Sequence, residues 1–328
     1  MEPIGGGRNS QVYRLQSEHC RSYIAKYYFR HDGDERDRLG VEFSSLEFLW
    51  EHGIRSIPKP IRADRTHACA IYEDIEGSSI PPGGATPVDV DAAVRFLMEL
   101  NALCRKERSR ALPAASEACF SIQAILESLQ RRLTRLAAVN SHTPPFAALD
   151  TFLQEEFLPA LDEVTRWCRF RLQQEGLAIT SELGQNERTL SPSDFGFHNA
   201  LRRQDGRLVF LDFEYFGWDD PAKTVVDFLL HPAMTLSEDL KQRFLTELLR
   251  HLDTDGRLAG RVETVYPLFG LKWCLIFLNE FVQHDFQRRQ FANRAVIASS
   301  NRQAEQLSKA RRMLQKIRED HEHFPYGN

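Results

Sequence analysis

No stretch of the 328-residue chain reaches the roughly 18 consecutive apolar residues that a bilayer-spanning helix needs. The N-terminus also lacks the basic-then-apolar pattern of a secretory signal. Membrane insertion is therefore not expected, and a cytoplasmic location is the default. Excess basic charge is missing too: 42 Lys and Arg stand against 46 Asp and Glu, a net charge of -4, which leaves no electrostatic footprint for nucleic acid. The six cysteines, Cys20, Cys69, Cys104, Cys119, Cys168 and Cys274, contain no C-x-x-C pair. Neither a structural zinc site nor a disulfide framework is expected from them. What remains is a chain long enough to bury a large core and to divide into two lobes or domains.

The densest chemistry lies in Leu190-Ser191-Pro192-Ser193-Asp194-Phe195-Gly196-Phe197-His198-Asn199, followed after eleven residues by Leu211-Asp212-Phe213-Glu214. An Asp and an Asn five apart, then a second Asp, are the minimum set for moving a phosphoryl group from a Mg-nucleotide to a hydroxyl. One carboxylate orients the acceptor, and an amide oxygen with a second carboxylate holds the metal. The segment reads as a loop, a turn at Asp205-Gly206, and a short strand ending at Asp212. Asn199 and Asp212 would then meet across a hairpin. Singly, Asp194 and Asn199 are also favoured turn and cap residues.

These residues resemble the aminoglycoside phosphotransferase and choline kinase group, whose core pattern runs H-G-D-x-x-x-x-N and then I-D-[FW]-[ED]. The resemblance implies an α+β, protein-kinase-like fold of two lobes: a small antiparallel sheet with one helix, and a larger, mainly helical lobe. It implies a phosphotransferase using ATP or another nucleoside triphosphate with Mg²⁺, and a small-molecule hydroxyl acceptor such as an aminoglycoside, a choline-like amino alcohol or a sugar. Asp194 matches the catalytic Asp of the pattern, and Asn199 and Asp212 match its metal ligands. Pro192 and Ser193 stand where the family usually has His and Gly, and Gly196 replaces a frequent second His.

The other end of the chain fits the same order. Gly5-Gly6-Gly7-Arg8-Asn9 precedes an alternating strand, as suits a turn laid over phosphates with free backbone N–H groups. Gly6, Gly7 and Asn9 are the candidates there. Only Met1 to Ile4 precede them, where the family has a longer first strand, so either the nucleotide lid is short or the sequence begins late. Lys26 lies on the apolar strand Tyr23 to Tyr27, and Glu42 on a helix with Phe43, Leu46 and Leu49 on its apolar side. In a kinase-like fold such a Lys reaches the nucleotide phosphates and such a Glu holds it.

Further along, His19 to Phe29 and Ala68 to Asp74 read as strands and Leu39 to Glu51 as a helix. Ile57-Pro58-Lys59-Pro60 matches the family's link into the fourth strand. Ile71 to Gly77 resembles the hinge between lobes, where main-chain groups of about Glu73 to Ile75 would pair with the adenine edge. The Pro-, Gly- and Ser-rich stretch Ser78 to Pro87 marks the boundary, giving a nucleotide-binding lobe over 1–77 and a helical lobe over 78–328 with the catalytic loop and acceptor site. Amphipathic helices are expected at about 89–108, 119–139, 150–175, 237–252, 259–285 and 291–319. The basic run Lys309 to Arg312 reads as the solvated face of the last of these. Trp273, Phe277 and Phe281 at helical spacing read as core.

A further Asp of the family falls on Thr224 here, and Asp227, one helical turn on, is expected to take its place by accepting N–H bonds from the catalytic loop. Cationic acceptors need acidic or aromatic walls. The candidates are Asp219, Asp220, Glu280 and Asp285, with Tyr215, Trp218 and Trp273 as ring faces. Phe197 and His198 stand where the family loop has Pro and Gly, which points away from antibiotics and choline toward a sugar or polyol. A catalytically weak, nucleotide-binding scaffold is the competing class, yet a scaffold has no chemical need for Asp194, Asn199, Asp212 and Lys26 together. A protein kinase is disfavoured because no A-P-E-like segment follows Asp212. Nothing in the sequence fixes an oligomeric state.

Overall fold

The computed structural model describes residues 1–4, 10–18, 21–30, 36–139, 144–282 and 300–327. Gly6, Gly7 and Asn9 of the expected phosphate loop, and Asp285, lie outside the described residues. The chain begins with an antiparallel sheet of β1 (Glu2–Pro3), β2 (Ser10–Gln16), β3 (Ser22–Tyr28), β4 (Pro60–Asp64) and β5 (Cys69–Glu73), in the order β1-β2-β3-β5-β4. β3 is central, pairing Lys26 with Val12 on one side and with Ala70 on the other. Alternation along these strands puts Tyr28, Ala70 and Tyr72 on the face toward helix α1 (Arg38–Glu51), where Tyr72 packs against Phe43, while Ala25, also buried, lies on the opposite face. α1 starts one residue earlier than expected because Asp37 caps it, its carboxylate accepting the Gly40 N–H at 2.9 Å.

After Glu73 the main chain leaves the sheet. Ser78–Ser79 (β6) already pairs with β8 (Ala200–Arg202), which pairs in turn with β9 (Leu208–Phe210). Helix α2 (Pro87–Leu103) starts with a capping box between Thr86 and Asp89 and a Pro in its first turn, a sequence signature that fixes its position. The remainder is helical: α3 (Ile122–Ala137), α4 (Pro144–Thr151), α5 (Leu158–Gln174), α6 (Pro221–Leu230), α7 (Glu238–Leu252), α8 (Arg257–Phe277) and α9 (Ser300–Asp320). β7 (Thr189–Ser191) pairs with β10 (Gly217–Asp219), and the loop that carries Asp194 follows β7. The fold is the expected mixed α+β arrangement of a small sheet lobe and a larger helical lobe.

Three boundaries differ from the sequence reading for identifiable reasons. α4 and α5 form one run joined by a π-helical turn over Phe152–Phe157. The helix expected at 259–285 ends at Phe277 and tightens into a 3₁₀ turn over Leu278–Phe281. α6 was not among the expected helices. It is a ten-residue segment buried on nearly every side, Val225, Val226, Phe228, Leu229 and Leu230 included, and a short apolar run with β-branched residues reads as a strand as readily as a helix.

α8 is the axis of the helical lobe, with Val265, Leu268, Phe269, Leu271 and Leu275 fully buried. α9 crosses it at Gly270, where an added Cβ would meet Ile317 Cδ1 at 2.2 Å, closer than two carbons can approach. Leu307, Leu314 and Ile317 of α9 pack inward as expected. Its basic face is solvated or surface-paired, Lys309 with Glu305 and Arg311 with Glu156. Among the described residues no helix is long and apolar enough to cross a membrane.

Candidate active site

Four separated segments converge on one point. Lys26 Nζ, from β3, lies 2.7 Å from Glu42 Oε2 and 2.6 Å from Asp212 Oδ1. Glu42 also accepts the Tyr28 hydroxyl at 2.8 Å and the Phe213 N–H at 3.3 Å, so one carboxylate on α1 ties the sheet to the segment carrying Asp212. Burial by itself pulls the Lys26 ammonium down, but the Asp212, Glu42 and Glu214 carboxylates outweigh it and hold the group well above its ordinary value. Lys26 is therefore a fixed cation at any physiological pH.

Asp212 has φ 66°, in the left-handed region that Asp and Asn tolerate better than other non-glycine residues. Asn199 and Asp212 do meet across the β8–β9 hairpin, where the Leu211 N–H donates to the Asn199 carbonyl at 2.8 Å. The Asn199 amide nitrogen donates to the Asp194 carbonyl at 3.0 Å, which directs the role of ligand to its Oδ1. The carboxylates of Glu42, Asp212 and Glu214 lie within 4.8 Å of one another. An all-oxygen donor set of this kind fits a hard cation such as Mg²⁺.

Asp194 lines a cavity of about 390 Å³ together with Asn199, Asp212, Glu117, Lys272 and Trp273. Its Oδ1 is approached by His198 Nε2 at 3.1 Å and His231 Nε2 at 3.4 Å. The two imidazoles stack with centroids 3.8 Å apart and 4° between planes, and Trp273 packs edge-on against His231. Burial works to raise the Asp194 carboxyl, but the hydrogen bonds and charges of the two histidines carry it well below its usual range. Burial in turn lowers His231.

The catalytic loop is braced differently from the expectation placed on Asp227. Asp227 approaches Lys223 Nζ at 3.3 Å instead of taking backbone N–H groups of the loop. Lys223 Nζ donates to Ser193 Oγ and to Asp219 Oδ2, both at 2.7 Å, and Thr224 Oγ1 donates to Ser191 Oγ at 3.0 Å. Ser193 stands in the left-handed region at φ 67°, a conformation that costs a glycine nothing. The side-chain bonds from α6 hold it there. Lys223 is 1% exposed, so Lys223→Met should strand buried carboxylates and lower the unfolding free energy by about 3–5 kcal/mol. Denaturant melts check this; a wild-type midpoint would show that Lys223 braces nothing.

The hinge residues are placed less simply. The Glu73 N–H is already given to the Lys59 carbonyl at 2.9 Å, so only its carbonyl can reach a nucleobase. Ile75, by contrast, lies beyond the sheet's ladder. Of the acidic acceptor candidates, Asp219 and Asp220 are fully buried. Asp219 is held by Lys223, and Asp220 caps α6 and pairs with Arg261. Glu280 pairs with Arg302. Trp218 spends its indole N–H on the Ser109 carbonyl. Tyr215 and Trp273 do line the cavity, and Trp273 is at the same time part of the buried core. Sequence reasoning missed Glu117, Arg132, His231 and Lys272, because isolated charges on separate loops and helices carry no spacing signal.

The sequence matches the phosphotransferase enzyme family over residues 1–261. No curated protein matches it in sequence. Among solved structures, spectinomycin phosphotransferase in complex with ADP and spectinomycin is similar at a TM-score of 0.63 and 14% identity, covering 96% of this chain and 91% of that one. An ethanolamine kinase of Plasmodium vivax gives 0.61 and 14% over 96% and 82%. A choline kinase of Streptococcus pneumoniae gives 0.59 and 15% over 96% and 92%. At such identities the likeness establishes the shared fold.

Proposed function

Because the chain belongs to the phosphotransferase enzyme family, we propose that it transfers the γ-phosphoryl group of ATP, or of another nucleoside triphosphate, to a hydroxyl of a small molecule. The observation that carries this reading is Lys26 held between Glu42 and Asp212 at 2.7 and 2.6 Å, beside Asn199 and Asp194. A phosphate-gripping cation and two candidate metal ligands stand there next to a carboxylate that lines a cavity. ADP in the spectinomycin phosphotransferase structure supports a nucleotide as donor.

Asn199 and Asp212 would hold Mg²⁺, which supplies neutralisation of phosphate charge when bound. Lys26 would leave Asp212 for the phosphates while Glu42 keeps its ammonium in place. The main chain at Glu73 to Ile75 would border the nucleobase, and Gly6, Gly7 and Asn9 would cover the phosphates. In the transfer, the acceptor oxygen forms a bond to the γ-phosphorus as the bond to the β-bridging oxygen breaks, and the nucleoside diphosphate leaves. Asp194 orients the hydroxyl and takes its proton. Its lowered pKa makes the carboxylate a weak base, so orientation is the larger part of its work. Since Asp219, Asp220 and Glu280 are engaged elsewhere, a sugar or polyol suits the cavity better than a cationic amino alcohol or aminoglycoside.

Nucleotide turnover with Mg²⁺ and a panel of hydroxylated compounds tests the reaction. Lys26→Ala should raise the nucleotide KM by about 10- to 100-fold, the scale of a charge-assisted contact. Glu42→Ala should raise it less, because Glu42 acts through Lys26. If Lys26→Ala keeps the wild-type KM and kcat, the phosphate-binding assignment fails.

A further inference from the structure

The cavity wall formed by α3, α8 and the loop before α3 carries an excess of positive charge. Arg132 Nη2 and Lys272 Nζ share a single oxygen, Glu117 Oε2, at 3.0 and 3.1 Å. A third cation, Arg36, meets Oε1 of the same carboxylate at 3.0 Å. Burial works to raise the Glu117 carboxyl, but Lys272, Arg132 and Arg36 hold it well below its ordinary range, so the carboxylate is always ionised and still outnumbered. The side chains of Arg132 and Lys272 are only 16% and 6% exposed. An arginine presents five N–H donors and a lysine three, and Glu117 is the one carboxylate either of them pairs with among the described residues. Burying two cations around one carboxylate is costly unless further acceptors meet their remaining donors, and Asp227 is the other carboxylate whose charge Lys272 feels. Their spare donors border the cavity that also opens on Asp194.

We propose that the acceptor carries an oxyanion, a carboxylate or a phosphate monoester, in addition to the hydroxyl that is phosphorylated. Arg132 and Lys272 bind this oxyanion, and Glu117 holds the pair in position. Tyr215 and Trp273 supply apolar wall for the carbon skeleton between the two ends. This assignment rests on the phosphotransferase reading for the identity of the cavity, but the anion subsite has its own readout.

The test has two arms. In the first, binding to the full chain is measured calorimetrically without nucleotide, using gluconate and glucose 6-phosphate as anionic probes, glucose as the neutral control and choline as the cationic one. At least one anionic probe should bind more tightly than glucose. Arg132→Met and Lys272→Met should each weaken it by about 10- to 100-fold, the range of a charge-assisted hydrogen bond. Arg132→Lys should restore part of the affinity, which a merely structural role would not produce. Circular dichroism confirms that each variant is folded, and Lys272→Arg replaces Lys272→Met if the latter is not.

In the second arm, MgATP turnover is followed with hydroxy acids, sugar phosphates, neutral sugars, amino alcohols and aminoglycosides. Turnover confined to either anionic class supports the proposal and tells the carboxylate source from the phosphate source. Turnover confined to neutral or cationic acceptors overturns it, as does the same probe affinity in wild type and both Met variants. Anion binding that depends on Arg132 and Lys272 with no turnover of any acceptor would leave the subsite standing and remove the phosphotransferase reading instead.

Discussion

Asp212→Asn should reduce nucleotide-dependent turnover by about 10³-fold or more while the protein remains folded. The substitution keeps the size of the side chain and suits the left-handed conformation at φ 66°, because Asn and Asp tolerate that region alike. What it removes is the negative charge. A divalent cation on oxygen ligands loses its carboxylate, and the several kcal/mol of transition-state stabilisation that such an ion provides converts to roughly a thousandfold at 1.36 kcal/mol per decade. The variant also releases Lys26 from its contact at 2.6 Å, yet Lys26 retains Glu42, so the fold of the sheet is not expected to change. Turnover measured against Mg²⁺ concentration, with circular dichroism on the same preparation, decides the matter. Activity at the wild-type level would show that Asp212 serves only as the partner of Lys26.

The second large effect is expected at Asp194. Asp194→Asn preserves shape and polarity but loses the proton acceptor, and kcat should fall by about 10²-fold or more, within the roughly 10²- to 10⁴-fold contribution of a positioned base. Nucleotide affinity should stay close to wild type, since Asp194 faces the acceptor cavity with His198 and His231 at 3.1 and 3.4 Å. The pH behaviour follows from the direction of the shift. The carboxyl is held well below its ordinary range, so it remains ionised as pH falls through the usual carboxylate values near 4. Loss of activity in mild acid should therefore not trace to protonation of Asp194. Nucleotide titration and steady-state rates on one preparation separate the two quantities. A variant with wild-type kcat would make Asp194 a turn-forming residue.

Local chemistry made part of this protein legible in one dimension. The spacing of Asp194, Asn199 and Asp212 survives into three dimensions because a short hairpin joins them, and hairpin register is set by the turn at Asp205-Gly206. Lys26 and Glu42 were recoverable for a related reason. A strand followed by a capped helix has few ways to pack, and the contact at 2.7 Å is the outcome of that geometry. Capping residues such as Asp37, Thr86 and Ser237 likewise place helix starts, since each satisfies N–H groups that the helix leaves open.

Tertiary structure alone decided the rest. Asp219, Asp220 and Glu280 looked like acceptor ligands in sequence, and burial beside Lys223, Arg261 and Arg302 turned them into structural partners. Helix α6 escaped notice because a ten-residue apolar run is too short for its pattern to separate helix from buried strand. Asp227 lost the loop-bracing role to Lys223 and Thr224, whose hydrogen bonds depend on how α6 is turned against β7. The convergence of Arg36, Arg132 and Lys272 on Glu117 joins residues from distant parts of the chain, and His231 reaches Asp194 from 37 residues downstream. Long-range contacts of this kind carry no local pattern, because their cost and benefit are settled only when desolvation brings the charges together. The sequence by itself pointed to the fold class, through motifs that resemble the phosphotransferase enzyme family, and to the candidate residues Asp194, Asn199, Asp212, Lys26 and Glu42, whose spacing is a local feature. The packing of α3 against α8 determined the charge of the cavity wall, because an electrostatic environment is a sum over neighbours in space.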